Sequence, residues 1–221
     1  MKHTNIVTHA LTGAVLFTAA VFAILMGNGC ASTTSSTQYL QPDINFTSKL
    51  PLRAVLYVSD SIRALQVPAT PTGGCTGSTV KVAAGDYYIK AIRSGLATAV
   101  KSVTVVDQLP AHTAIENYDV LVTVAFVSAN CAATVTTEKQ LPHIHSRFET
   151  TVFVKYTSAA GDSLYAYHTS EEGYDNELGT CDGLQNAVVS SIENCMHGLA
   201  DYIANATYSA TPLNLYYTKS E

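Results

Sequence analysis

The chain has 221 residues, of which 47% are apolar and 13% are charged, and its formal net charge at pH 7 is −5. This length allows an N-terminal segment followed by one domain with a core of its own. The acidic balance, without clustered Lys and Arg, excludes an electrostatic surface for nucleic acid.

The first 29 residues have the composition of an export signal. Lys2 provides the positive start, and no other Lys or Arg occurs before Lys49. The range 10–26 is apolar except for Gly and Thr, and small residues follow it. About 20 apolar residues are needed to span a bilayer, so this run is short for a retained membrane helix. We interpret residues 1–29 as a signal peptide that is removed on export.

The sequence MGNGC at residues 26–30 resembles the lipobox of bacterial lipoproteins, in which the Cys is acylated and becomes the new N-terminus. Gly29 suits the position before that Cys, whereas Gly27 stands where Leu is usual. A rival cut after Gly-Cys-Ala would begin the mature chain at Ser32 and discard Cys30. We expect lipidation at Cys30, with palmitate among the acyl chains that hold the protein to a membrane.

Residues 31–37 are small and mostly hydroxylated, without an apolar pattern that could bury surface. Residues 30–50 are therefore interpreted as the lipidated Cys and a flexible tether. By resemblance to Gram-negative lipoproteins, Ala31 after the Cys implies the periplasmic side of the outer membrane. The alternative location is that of a secreted or soluble periplasmic protein.

Residues 51–208 carry the strand and helix signals of one domain. Apolar and β-branched runs predict five strands, at 52–59, 79–82, 118–127, 148–156 and 163–169. Helical spacing predicts a helix with Asp86 as its N-cap and a stripe that reaches Val103, and a closing helix over 183–206. Gly95 inside the first helix indicates a close approach by another element.

The connecting segments are predicted from their polar and small residues. We expect a loop over 68–78, a hairpin turn over 159–162, an acidic loop over 171–177 and a C-terminal tail over 209–221. The order of elements predicts an α+β two-layer sandwich. Its mostly antiparallel sheet of about four to five strands would carry two helices on one face.

The lipobox, the tether, YDVLVTVAFV, FETTVFVKY, AAGDSLYAY and the closing amphipathic helix together resemble the arrangement in small bacterial envelope lipoproteins. That group includes the lipopolysaccharide-assembly lipoprotein and the auxiliary lipoproteins of ABC-type lipid transport. The resemblance is architectural, covers most of residues 30–206 and carries over no functional residue. It implies a non-enzymatic accessory subunit that binds an envelope protein partner. The alternatives are an exported carrier of a lipid or small ligand, and a secreted hydrolase or metal-binding enzyme.

Without Cys30 the chain has four cysteines, an even number that favours disulfides in an exported protein. Cys181 and Cys195 would lie about 20 Å apart along the last helix, beyond the reach of a disulfide. Cys75–Cys181 with Cys131–Cys195, and Cys75–Cys195 with Cys131–Cys181, remain. We expect the second pairing, because Cys131 at the end of the central strand should meet the segment before the last helix. A buried free thiol at Cys195 is the alternative.

The sequence shows no catalytic motif and predicts no cofactor, since nucleophile-elbow and phosphate-loop patterns are missing. His143 and His145 would share one face of a strand and could share a metal ion. Pro142 favours a loop there instead, and no third ligand is apparent nearby, so we expect no metal.

Tyrosines are abundant toward the C-terminus. A tyrosine side chain combines a large contact area with a polar tip, which suits protein interfaces. We expect Tyr165, Tyr167 and Tyr217 to take part in partner binding, with a role in packing as the alternative.

Overall fold

The structure is a computed structural model, and it describes residues 40–75, 77–110, 117–138 and 141–220, with side chains as far as residue 216. The predicted signal peptide, the lipidation of Cys30 and residues 30–39 of the predicted tether lie outside the described residues. No helix in the described ranges is long and apolar enough to cross a membrane.

In the part of the chain that the structure describes, eight strands form two sheets. The strands are β1 (Leu50–Val58), β2 (Gln66–Ala69), β3 (Pro71–Thr72), β4 (Val80–Ala83), β5 (Val100–Val106), β6 (Val120–Glu138), β7 (Leu141–Ser158) and β8 (Ser163–Leu178). The larger sheet has six strands in the order β5-β1-β6-β7-β8, with β3 paired to β6, and β2 pairs with β4 separately.

The larger sheet is mixed. Strand β1 runs parallel to both β5 and β6, and β3 is also parallel to β6. Strands β6, β7 and β8 form a continuous antiparallel meander. The sheet therefore has more strands than expected, and the prediction of a mostly antiparallel sheet is only partly correct.

Among the described residues, four helices and one short 3-10 turn accompany these strands. They are α1 (Asp60–Arg63), α2 (Gly85–Ala99), the 3-10 turn (Cys181–Gly183), α3 (Leu184–Ser209) and α4 (Thr211–Ser220). Residues of α2 and α3 share one buried cluster with alternate residues of the strands. We call the helix-covered side of the large sheet the inner face and the other side the outer face. The predicted α+β class is confirmed.

The inner face holds the core, and the buried hydroxyl groups of Tyr156 and Tyr88 are paired there. The Tyr156 hydroxyl donates to Thr207 Oγ1 at 2.6 Å, and the Tyr88 hydroxyl is hydrogen-bonded to Thr150. Burial of an unpaired hydroxyl is costly, so these bonds let two large tyrosines fill the space between sheet and helices.

Two glycines allow close packing against α3. A Cβ at Gly95 of α2 would overlap the carbonyl oxygen of Ala200, and a Cβ at Gly173 of β8 would overlap that of Ser191. The close approach predicted at Gly95 is therefore confirmed. At these two glycines, α2 and β8 lie nearer to α3 than a residue with a Cβ atom would allow.

Several predicted boundaries are wrong. Ala84 precedes the first turn of α2, where Asp86 makes no side-chain cap, and the helix ends at Ala99. Val103, expected on the helical stripe, belongs to β5. The acidic segment 171–177 continues β8, since β7 supplies a hydrogen-bonding partner along its length. Most of the predicted tail, 209–221, is the helix α4.

Candidate functional site

An open groove lies on the outer face of β6, β7 and β8. Its volume is about 580 Å³. The lining residues are Ala132, Thr134, His145, Ser146, Arg147, Tyr174, Asp175 and Asn176. None of the described helices packs on this face, since α2 and α3 occupy the inner one.

The strand register aligns the outer-face side chains of the groove in two rows. One row is Ala132, Arg147 and Tyr174, and the next is Thr134, His145 and Asn176. Residues directly opposite each other in antiparallel strands point to the same face and lie close enough to interact. Three strands therefore present aromatic, cationic and amide groups at fixed positions.

Arg147 is the centre of an ordered charged cluster. Its Nη2 atom bonds Glu172 Oε1 at 2.9 Å and also pairs with Glu149. The guanidinium carbon lies 5.5 Å from the ring centroid of Tyr174, and the Tyr174 hydroxyl donates to Glu172. The hydrogen bonds from Tyr174 and Arg147 lower the pKa of Glu172. These contacts hold the cluster in one geometry before any partner arrives.

The two histidines lie beside this cluster. His143 and His145 occupy successive outer-face positions of β7, with ring centroids 6.2 Å apart. His145 Nε2 lies 3.3 Å from Glu138 Oε1 and 3.1 Å from Thr136 Oγ1. The pair is therefore in a strand, and the loop favoured by Pro142 is wrong. Pro142 is tolerated because the pairing of β7 with β8 begins only at His143, so the missing N–H of Pro142 removes no ladder hydrogen bond to β8.

The histidine pair does not form a metal-binding cluster within the described ranges. There, one set of three His, Cys, Asp or Glu residues brings its ligand atoms within 4.8 Å of one another, and it consists of Asp43, His197 and Asp201. His143 and His145 instead contact a carboxylate, a hydroxyl and an amide.

Exposed apolar side chains flank the groove. Tyr174 is 58% exposed, Leu178 is 59% exposed and Leu141 is 51% exposed. Leu178 lies opposite His143 on the outer face, and Leu141 lies two residues before His143 on the same face. Exposed large apolar side chains next to polar ones are a feature of surfaces that bind other macromolecules.

The tyrosines singled out from the sequence lie elsewhere. Tyr165 and Tyr167 point to the inner face, where their ring centroids are 5.2 Å apart. Both rings contact Tyr156, and that of Tyr167 also contacts Tyr202, at centroid distances of 5.7–6.3 Å. Burial raises the pKa of Tyr167, whose hydroxyl is buried beside Tyr156 without a well-aligned hydrogen bond among the described residues. Their role in partner binding stays a prediction, and the side chain of Tyr217 lies outside the described part.

Within the described residues, one disulfide joins Cys75 to Cys181, and Cys131 and Cys195 are free. The expected pairing of Cys75 with Cys195 and of Cys131 with Cys181 is wrong. Strand β3 pairs with β6 at Ala133 and Thr134. This pairing places Cys75 near the end of the sheet where β8 ends, and Cys181 follows β8 in the chain. Burial raises the pKa of Cys195 to about 12, which keeps the thiol protonated.

Sequence reasoning missed Arg147, Tyr174 and Asn176. One signal in the sequence could have indicated them, namely the alternation of polar residues in HIHSR and EGYDN. This alternation extends the two-residue period of the predicted hairpin strands, before the first strand and after the second. The predicted hairpin covered only residues 148–169 and therefore did not include these three residues.

The chain is similar in structure to several solved proteins. No family model matches the chain, and no curated protein sequence matches it. A minor lipoprotein from Acinetobacter baumannii is 10% identical with a TM-score of 0.39, covering 73% of this chain and 94% of that one. A protein assigned as a neuraminyllactose-binding hemagglutinin homolog, from Helicobacter pylori, is 8% identical with a TM-score of 0.44, covering 82% and 99%. Lipoprotein GNA1162 from Neisseria meningitidis is 12% identical with a TM-score of 0.27, covering 64% and 96%.

Proposed function

We propose that this protein is a lipid-anchored, non-enzymatic binding subunit of the bacterial envelope. Acylation of Cys30 would hold it to the outer membrane, with the domain facing the periplasm. The outer-face groove would bind an envelope protein partner. The observation that carries this proposal is the ordered Arg147 cluster beside exposed Tyr174 and Leu178 on a sheet face without a packed helix.

The polar side chains of the groove support recognition in preference to catalysis. Arg147 is engaged by two carboxylates, and His145 by the Glu138 carboxylate and a hydroxyl. Side chains that hold one another in place lose little freedom when a partner binds, which favours affinity. Exposed Tyr174 and Arg147 are of the residue types enriched at interface hot spots.

The place where the N-terminal segment joins the domain is compatible with the role of an anchored binding subunit. Residues 40–49 run along the helix layer, where Phe46 stacks on Tyr208 of α3 and Lys49 donates to the Ala97 carbonyl at 2.5 Å. A tether that joins the domain at the helix layer leaves the outer face of the sheet free for a partner.

A carrier of lipid or another small apolar ligand is less well supported. Such a ligand would need space between the sheet and the helices. Phe148, Leu96 and Ile192, each 0% exposed, pack together with other core residues in that layer.

A photo-crosslinking residue placed at Tyr174 or Leu178 in living cells tests the docking surface. We expect a discrete crosslinked product from both positions and none from the matched control at Tyr202, which is 42% exposed on α3. Equal products from all three positions, or a product from Tyr202 alone, would contradict the proposal. Mass spectrometry of the mature N-terminus tests the anchor, because acylated Cys30 supports it and a chain that begins at Ser32 excludes it.

A further inference from the structure

A cluster of potential metal ligands lies on the helix layer, away from the outer face. His197 and Asp201 are one turn apart on α3 and therefore share a face of the helix. Asp43, in the segment before β1, brings its Oδ2 atom to 3.2 Å from His197 Nε2. The ligand atoms of the three residues all lie within 4.8 Å of one another.

The hydrogen bonding of the cluster leaves one donor atom of each residue available to a cation. The backbone N–H of Asp43 donates to Asp201 Oδ1 at 2.9 Å. The other oxygen, Asp201 Oδ2, lies 4.0 Å from His197 Nε2. A tetrahedral ion with bonds of about 2.0–2.2 Å has its ligands roughly 3.4 Å apart. The two separations from His197 Nε2, 3.2 Å and 4.0 Å, lie on either side of that value, so small side-chain movements would bring three ligand atoms to coordination distance.

The surrounding charge also favours a cation. Glu171 of β8 has its Oε2 atom near Gly198, the residue after His197. Burial raises the pKa of Glu171, and the negative charge of Asp201 raises it further. Within the described ranges, no Lys or Arg forms an ion pair with Asp43, Asp201 or Glu171. Among the described residues, a cation at this cluster would therefore meet no Lys or Arg that is ion-paired with the two aspartates.

We propose that Asp43, His197 and Asp201 bind one divalent transition-metal ion, with Zn²⁺ as the probe ion. Two carboxylate oxygens and one imidazole nitrogen form a donor set that suits such ions. The ion would join the C-terminal part of the predicted tether, which contains Asp43, to the middle of α3. This site is separate from the proposed docking groove, and neither depends on the other.

Isothermal titration of the full-length chain in detergent, with accessible thiols alkylated, tests the site with Zn²⁺ alone. We expect one ion per chain and at least about tenfold weaker binding in His197→Ala and in Asp43→Asn. His143→Ala/His145→Ala is the matched control and should bind as the wild type does. Affinity should fall on acidification, because protons compete for the same ligand atoms.

Other outcomes overturn the proposal. These are no binding to the wild type, binding unchanged in His197→Ala, and binding lost in the His143→Ala/His145→Ala control. Because Asp43 is 87% exposed, Asp43→Asn should keep the fold, and circular dichroism checks this. A wild-type melting temperature that rises with Zn²⁺ while that of Asp43→Asn does not gives a second readout.

Discussion

The ring of Phe46 stacks on the ring of Tyr208, with the centroids 3.9 Å apart and the planes inclined by 9°. This contact fastens the segment before β1 to the last turns of α3. Phe46→Ala should lower the free energy of unfolding by about 1–2 kcal/mol, because both the apolar burial and the ring contact are lost. Urea titration measures the loss. Val127→Ala, at a side chain 48% exposed, is the control and should change it little.

Gly95→Ala should destabilise the domain although Ala is the better helix former. The added Cβ would overlap the Ala200 carbonyl and force α2 and α3 apart. We expect a loss of about 1–3 kcal/mol, which outweighs the gain in helix propensity of up to about 1 kcal/mol. Thermal unfolding measures it. Gly198→Ala is the control, since its Cβ meets only the movable end of Glu171; an equal loss there would contradict the packing argument.

Removal of the disulfide should weaken the fold strongly. Cys75 and Cys181 are separated by 106 residues, and a long closed loop restricts the unfolded chain. Cys75→Ser/Cys181→Ser should therefore lose about 2–5 kcal/mol of stability in urea titration. A reducing agent should shift the wild type in the same direction and leave the double variant unchanged. A reductant effect of the same size in both proteins would point to another cause.

Asp119 should make stability depend on pH in the acid range. Burial opposes ionisation of Asp119, but hydrogen bonds from the side chain and backbone of Arg53 outweigh it and lower its pKa. The folded carboxylate thus ionises more readily than the unfolded one. Its stabilising contribution is present above the unfolded pKa and is lost as the pH falls through the folded pKa.

The matching experiment compares Asp119→Asn with the wild type in urea at pH 7 and at pH 3. The variant should be clearly less stable at pH 7, and the difference should shrink at pH 3. Asp107→Asn is the control, because Asp107 is 89% exposed in its pair with Arg63. A stability difference for Asp119→Asn that is the same at both pH values would contradict the assignment.

Local signals predicted the fold class, the close packing at Gly95 and the core of the hairpin. They failed where a partner strand decides the structure. The segment 171–177 is polar and acidic, yet β7 holds it as a strand by hydrogen bonding. The position of Val103 in the sequence is compatible with a helical stripe and with a strand. Its pairing with Ala54 of β1 places it in a strand.

The candidate site could be predicted only in part. That His143 and His145 share a face follows from strand alternation, although the strand itself was not expected there. The rows through Arg147 and Tyr174 need the register of three strands, which no single segment contains. The disulfide partner of Cys75 depends on the path of β3 along β6, a pairing of only two residues.

Strand alternation has a consequence for engineering this protein. In β7, Phe148 points into the core while its neighbours Arg147 and Glu149 point to the outer face. In the proposed docking groove, recognition and folding would thus depend on alternate residues of the same strands. A library that randomises Arg147, Tyr174 and Asn176 would change the outer face without altering the helix packing. Together with the proposed lipid anchor, the domain would then provide a membrane-displayed scaffold with an exchangeable outer surface.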